Sequence, residues 1–313
     1  MLNSYLNILT IFIMIFLGWW MARKQWFASS SIDSLTKLIL NVSLPCSMFA
    51  NIVTQFSRAE FLDLIRSAFI PALSIAITHF IGLAVRRVFK VAPRDYGKFL
   101  TMFVCSNTIF IGLPINLAIF GAKALPYVLI YYICNTVYFW TFGVYQIKAD
   151  GTEFSKGLHN FEPKKLARQV LSPALIGFSI GIVWVLLSLP KLKNLMQLTG
   201  ELGSLTSALS LIVIGIMVYF IGWRNLKLTK EVVLVMFGRF ILAPLTIIII
   251  EQFFKMPHLM ASVFIIQSSL PIPNSVSLLA RRYNAGEELP TATLGICVLT
   301  YLFVIPILLL IIN

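Results

Sequence analysis

The 313-residue chain is 58% hydrophobic and has a mean hydropathy of +0.88. Only 12% of its residues are charged, about half the share of an ordinary soluble domain. So little polar surface could not cover a soluble core of this size, which excludes a soluble enzyme, a nucleic-acid-binding domain and a disordered chain.

A helix of about 20 apolar residues crosses the hydrocarbon core of a bilayer, and ten such segments follow one another. The first, 4–22, precedes Arg23 and Lys24, whereas a signal peptide places its charges first; it is expected to be a spanning helix. The second, 33–54, holds Pro45, Cys46 and the sequon Asn41-Val42-Ser43, which a membrane span would hide from glycosylation. Lys37, near its end, is expected to reach the interface along its alkyl stem. The third, 67–88, contains His79, for which packing is expected ahead of proton carriage. The fourth, 97–119, includes the run Cys105-Ser106-Asn107-Thr108-Ile109-Phe110-Ile111-Gly112-Leu113-Pro114. Pro114 removes a backbone donor and clashes with the carbonyl four residues back, and Gly112 weakens the helix further.

The fifth segment, 125–147, carries Cys134 and is followed by a Lys-rich linker at 148–167. The sixth, 168–189, contains Gly177-Phe178-Ser179-Ile180-Gly181, the spacing of a nucleophile elbow. Inside an apolar span with no evident histidine partner, it reads as a small-residue packing face. The seventh and eighth are 200–222 and 231–250, with Arg239 near the middle of the eighth. Such a cation either attracts the substrate or hydrogen-bonds helix-end carbonyls, and both readings stand. The ninth, 257–280, includes Gln267-Ser268-Ser269-Leu270-Pro271-Ile272-Pro273-Asn274-Ser275, whose two prolines prevent a continuous helix. The tenth is 290–312. Cys46, Cys105, Cys134 and Cys297 lie in apolar stretches without a CxxC pair and read as small hydrophobes, with no disulfide framework and no metal site.

Of the 25 Lys and Arg residues, seventeen fall in the loops after odd-numbered segments or at the segment ends that border them (Arg86, Arg87, Lys98 and Arg168), and six in the loops after even-numbered ones. That asymmetry places the odd loops in the cytoplasm and both termini outside. The net charge of +13 then faces anionic headgroups rather than nucleic acid. Two halves of five spans must have opposite orientations, the geometry of an inverted repeat. The expected fold is an all-α integral membrane protein of ten transmembrane helices, with a first repeat at 1–147, the cytoplasmic linker at 148–167 and a second repeat at 168–313.

Interrupted helices at matching places in two halves point to a transport site, because broken backbone at mid-membrane must be satisfied by protein or a watery cavity. Half-helix amino ends favour an anion. Asn107, Thr108, Gln267, Ser268 and Asn274 are the expected substrate contacts. Gly112, Pro114, Pro271 and Pro273 shape the backbone, and Arg239 is the candidate charge partner. Asp and Glu are absent from mid-segment positions, which argues against a carboxylate-mediated proton antiport.

Several of these residues resemble the auxin efflux carrier family, which includes plant auxin exporters and bacterial permeases. Asn107-Thr108, Gly112 and Pro114 are similar to its first crossover. Gln267, Leu270-Pro271, Ala280, Tyr283 and Asn284 resemble the second, and Pro45 with Phe49 and Arg239-Phe240 with Pro244 are similar to its other motifs. The resemblance implies that broken helices 4 and 9 cross at mid-membrane. It further implies that helices 1, 2, 6 and 7 form a scaffold, while 3–5 and 8–10 form a transport unit moving like an elevator. Malate, malonate or an auxin-like acid are the implied substrate class. Ile272-Pro273-Asn274 departs from the plant pattern, and the short linker resembles bacterial members in a cell membrane. The expected partners are a small organic anion, lipid and a second copy through the scaffold helices, with no cofactor and no nucleic acid. The expected mode is uniport or proton-linked transport; the competing readings are a sodium-coupled symporter of the bile-acid type and a non-transporting sensor.

Overall fold

A computed structural model describes residues 2–55, 66–151, 173–221 and 227–312. Among these residues every regular element is helical. In chain order the α-helices are α1 (Leu2–Arg23), α2 (Ser29–Leu38), α3 (Leu44–Gln55), α4 (Phe69–Val88), α5 (Tyr96–Val104), α6 (Leu113–Phe120), α7 (Leu125–Tyr138), α8 (Val144–Ala149), α9 (Pro173–Leu186), α10 (Lys193–Ile221), α11 (Lys230–Phe237), α12 (Ala243–Phe253), α13 (His258–Ser268), α14 (Ser275–Arg282) and α15 (Glu288–Ile312). Most of the linker lies outside the described residues, together with Arg58, Lys156, His159, Lys164, Lys165, Arg168 and Arg224.

Among the described residues, seven helical stretches are long and apolar enough to cross a membrane: Ser29–Thr54, Phe69–Val88, Pro93–Phe120, Ala122–Ala149, Lys193–Phe220, Lys230–Phe253 and Glu288–Ile312. Ile13–Arg23, Ile176–Leu186 and His258–Ser268 are shorter apolar helices. Phe80, Phe253 and Phe303 are 68%, 78% and 75% exposed, an apolar exterior suited to lipid rather than water. The protein is thus a multi-pass membrane protein. Boundaries differ from hydropathy: the second segment begins at Ser29 rather than residue 33, and the seventh at Lys193 rather than residue 200. The first turns of the seventh carry exposed Lys193, Asn194, Gln197 and Glu201, and Gln197 donates to Glu201 at 3.0 Å one turn on, so the helix continues into a polar end.

Among the described residues four π-turns interrupt the helices, at Ile39–Ser43, Thr108–Gly112, Phe139–Gly143 and Gly238–Leu242. Three of them stand two residues before a proline: Pro45, Pro114 and Pro244. Each proline would clash with the carbonyl of Asn41, Phe110 or Phe240 respectively, four residues back and inside the π-turn. The wider turn takes up that clash while the helix goes on.

The described chain forms two compact units. The first comprises residues 1–67, 109–129 and 167–221. Small residues bring its helices together: a Cβ on Gly18 would stand 2.1 Å from the Ile212 carbonyl oxygen, and one on Gly215 1.9 Å from that of Ile15. Such clashes explain why α1 and α10 meet on glycine. Gly177 likewise abuts the Pro45 carbonyl and Gly181 abuts Ile52, while Ser179 is exposed; the elbow-like run is a packing face between α9 and α3. The second unit comprises residues 68–108, 130–166 and 222–313. Within it Ser74 and Thr246 join α4 to α12 by a buried hydroxyl pair at 2.5 Å. His79 bonds the Tyr138 hydroxyl at 2.6 Å and stacks edge-on against its ring, a packing arrangement. The four cysteines are free thiols.

Candidate substrate site

The fourth segment breaks because α5 stops at Val104 and Cys105 turns extended (φ −88°, ψ 144°). A break at this depth must account for each freed backbone group. The Ser106 amide donates to Asn135 Oδ1 at 2.9 Å, and Asn135 Nδ2 donates back to the Ser106 carbonyl at 3.0 Å. One side-chain amide on α7 thereby replaces the strand or helix partner that Ser106 lacks. The Asn107 amide donates to the Pro271 carbonyl at 2.9 Å. Gln267 Nε2 donates to the Thr108 carbonyl at 3.4 Å. Beyond the break, Gly112 closes the π-turn ahead of α6, and its carbonyl accepts from Asn116 Nδ2 at 2.7 Å. Gly112 and Pro114 belong to the first unit; the other candidate residues belong to the second.

The ninth segment breaks after α13. Pro271 and Pro273 have no N–H to satisfy, and α14 resumes at Ser275. It ends with Asn284 in the left-handed region (φ 51°), where the Asn284 amide reaches the Arg281 carbonyl and the Ala285 amide that of Ala280. Asparagine suits this helix-closing geometry better than most residues. The two breaks meet inside the second unit. Asn107 Nδ2 donates to Asn274 Oδ1 at 3.2 Å, beside the backbone bond from Asn107 to Pro271.

Asn107 and Thr108 are buried, Gln267 and Ser268 wholly so, and Asn274 is partly exposed. Gln267 Oε1 has no partner among the described residues. The Ser268 hydroxyl turns back to the Ile265 carbonyl at 2.8 Å, so its side chain is engaged within α13.

Arg239 is completely buried. Its Nε donates to the Leu270 carbonyl at 3.0 Å and Nη1 to the Val104 carbonyl at 2.7 Å. Nη2 donates to the Ser268 carbonyl and the Ser106 hydroxyl. The arginine thus ties the end of α5 to the end of α13.

Two features escape sequence reading. Asn135 is one, although a polar Asn135-Thr136 pair in an apolar span was a usable signal. The other lies at the start of α5. Lys98, counted above among the loop charges that face headgroups, is 2% exposed. It pairs with Asp95 at 2.7 Å and donates to the Ala285 carbonyl. Its charge therefore serves an internal clamp. Beside it the Asp150 carboxylate accepts from the Gly97 and Lys98 amides at 2.8 and 2.7 Å, capping α5 from across the unit. Burial pushes the Asp150 carboxyl up to about 6 against the pull of those amides and of Lys98.

Residues 4–312 match the family described as Membrane transport protein. The chain is 21% identical over 314 residues to an uncharacterized transporter of Methanothermobacter thermautotrophicus, covering 98% of this chain and 97% of the relative. It is 20% identical over 310 residues to an uncharacterized transporter of Methanocaldococcus jannaschii, covering 95% of each. The match runs through both broken segments and the helices that carry Asn135 and Arg239. The chain belongs to this membrane transport protein family, the auxin efflux carriers that its crossover motifs resemble.

Proposed function

We propose that this transporter carries a small organic anion by alternating access, with the anion held at the Asn107–Asn274 junction. The observation that supports this most is the meeting of two broken segments through neutral amides, with no acidic side chain among the described residues in the hydrogen bonds of the junction. Asn107 spends one side-chain N–H on Asn274, and its other has no partner among the described residues. A carboxylate accepts such donors without having to displace a resident negative charge. Gln267 and Thr108 line the same junction, and Pro271 and Pro273 keep it open to ligand groups.

In this reading the described helices belong to ten spans arranged as two inverted repeats of five, with both termini outside the cell membrane. The second compact unit corresponds to the elevator and the first to the scaffold. Residues 109–129, the later part of the fourth segment and the start of the fifth, belong to the first unit in this conformation. Transport is a uniport or is proton-linked through the substrate acid itself. A monovalent anion then responds to voltage by about 2.3 kcal/mol per 100 mV.

The test is flux into proteoliposomes of the purified full chain, with malate, malonate and indole acetate as probes. Saturable uptake of one probe is expected, cut at least about tenfold by Asn107→Ala, the effect of losing about 1.4 kcal/mol of binding. Asn107→Asp should abolish it, because it places a second negative charge at the junction. Uptake that is unchanged in both variants would remove the site, and no counterflow for any organic anion would remove the substrate class.

A further inference from the structure

Arg239 is a buried cation without a buried anion beside it among the described residues. Among the described residues its partners are all neutral oxygens: the carbonyls of Val104, Ser268 and Leu270 and the hydroxyl of Ser106. The three carbonyls stand at, or just beyond, the carboxyl ends of α5 and α13, where a helix macrodipole presents about −0.5 of an elementary charge. In carriers with broken helices, unwound carbonyls and half-helix carboxyl ends are the groups that coordinate a coupling cation. Here such a set of oxygens closes around a guanidinium that the chain itself supplies.

We propose that Arg239 is a tethered counter-cation, a positioning residue whose guanidinium occupies the place of a coupling sodium ion. Its fixed charge offsets the two negative helix ends behind Asn107 and Asn274. An anion at the junction is therefore not opposed by those ends, and no sodium ion need bind with it. The fork also spreads its donors over Nε, Nη1 and Nη2 to serve four acceptors, which a compact ammonium would meet less completely. The sodium-independence of transport rests on the anion-carrier reading above. The occupied cation site does not, and it can be tested without any substrate.

The experiment compares the full-length wild type, Arg239→Ala and Arg239→Lys in detergent. The readouts are equilibrium binding of radioactive sodium and thermal unfolding in sodium, guanidinium or choline chloride at low millimolar concentration. Wild type and Arg239→Lys should bind no sodium saturably and unfold at the same temperature in all three salts. Arg239→Ala should gain saturable binding of one sodium ion per chain, and should be stabilised by sodium and guanidinium but not by choline. A variant that is monodisperse only when prepared in sodium or guanidinium gives the same support. Saturable sodium binding by the wild type overturns the proposal. So does a folded Arg239→Ala with no cation response, or one that aggregates in every salt whether or not Arg239→Lys folds. Loss of the anion-carrier reading would appear in the flux assay with Asn107→Ala and leave these binding results untouched.

Discussion

The two breaks solve one problem by opposite means. At Ser106-Asn107 the chain keeps its backbone donors and hires a distant side chain, Asn135, to satisfy both groups of Ser106. At Pro271 and Pro273 the donors are missing from the start, and the carbonyls left over are taken by Asn107 and Arg239. The first break is therefore maintained by tertiary hydrogen bonds and the second by covalent structure. The first should depend on its partners far more than the second depends on its prolines.

The largest effect should come from Arg239→Met, which strips both breaks at once by orphaning three buried carbonyls. At about 1–3 kcal/mol for each unsatisfied group, thermal unfolding in detergent should show a loss of more than about 3 kcal/mol. Asn135→Ala should follow at about 2–4 kcal/mol, since it orphans the Ser106 amide and carbonyl together. If the two breaks differ as argued, Pro271→Ala should cost less, about 1–3 kcal/mol, because it adds one buried donor and chain entropy but removes no partner. A Pro271 variant as unstable as the Asn135 variant would erase the distinction.

The smallest effect concerns the clamp at the start of α5. The carboxyl of Asp150 is raised by burial to about 6 in the folded state. A raised acid favours the folded state while protonated, so its contribution is present below about pH 4 and is lost as pH rises through about 6. Asp150→Asn should therefore flatten the stability–pH curve between those values by about 1 kcal/mol, after allowance for solvent screening. Unfolding midpoints of the two proteins across that window check the sign.

Much of the site was legible because its causes are local. Pro271 and Pro273 lack their N–H wherever they are placed, so the interruption of segment nine follows from residue type. Segment four is interrupted at Cys105–Asn107 and not at Gly112 or Pro114, because a π-turn takes up the Pro114 clash and the helix continues. The apolar runs follow from the need to bury every backbone polar group in lipid. Arg239 could be singled out as costly, with helix-end carbonyls as one reading, but its partners could not be named, because three of its four acceptors are main-chain carbonyls that carry no sequence mark. Lys98 read as a loop charge because nothing in its neighbours shows that Asp95 and the Ala285 carbonyl enclose it. The start of α10 was missed because hydropathy sees the apolar span and not the polar turns before it.

Composition and chain order thus suffice for a helical membrane protein with an interrupted ninth span and an excess of positive charge in alternate loops. Those properties depend on side-chain hydropathy and on single missing donors. Tertiary structure alone decided that Asn107 meets Asn274, 167 residues away, and that Arg239 reaches Val104 at a separation of 135. It also decided that Asn135 repairs Ser106. Hydrogen bonds are directional and end within about 3.5 Å, so which distant groups satisfy one another is fixed only when packing brings them together.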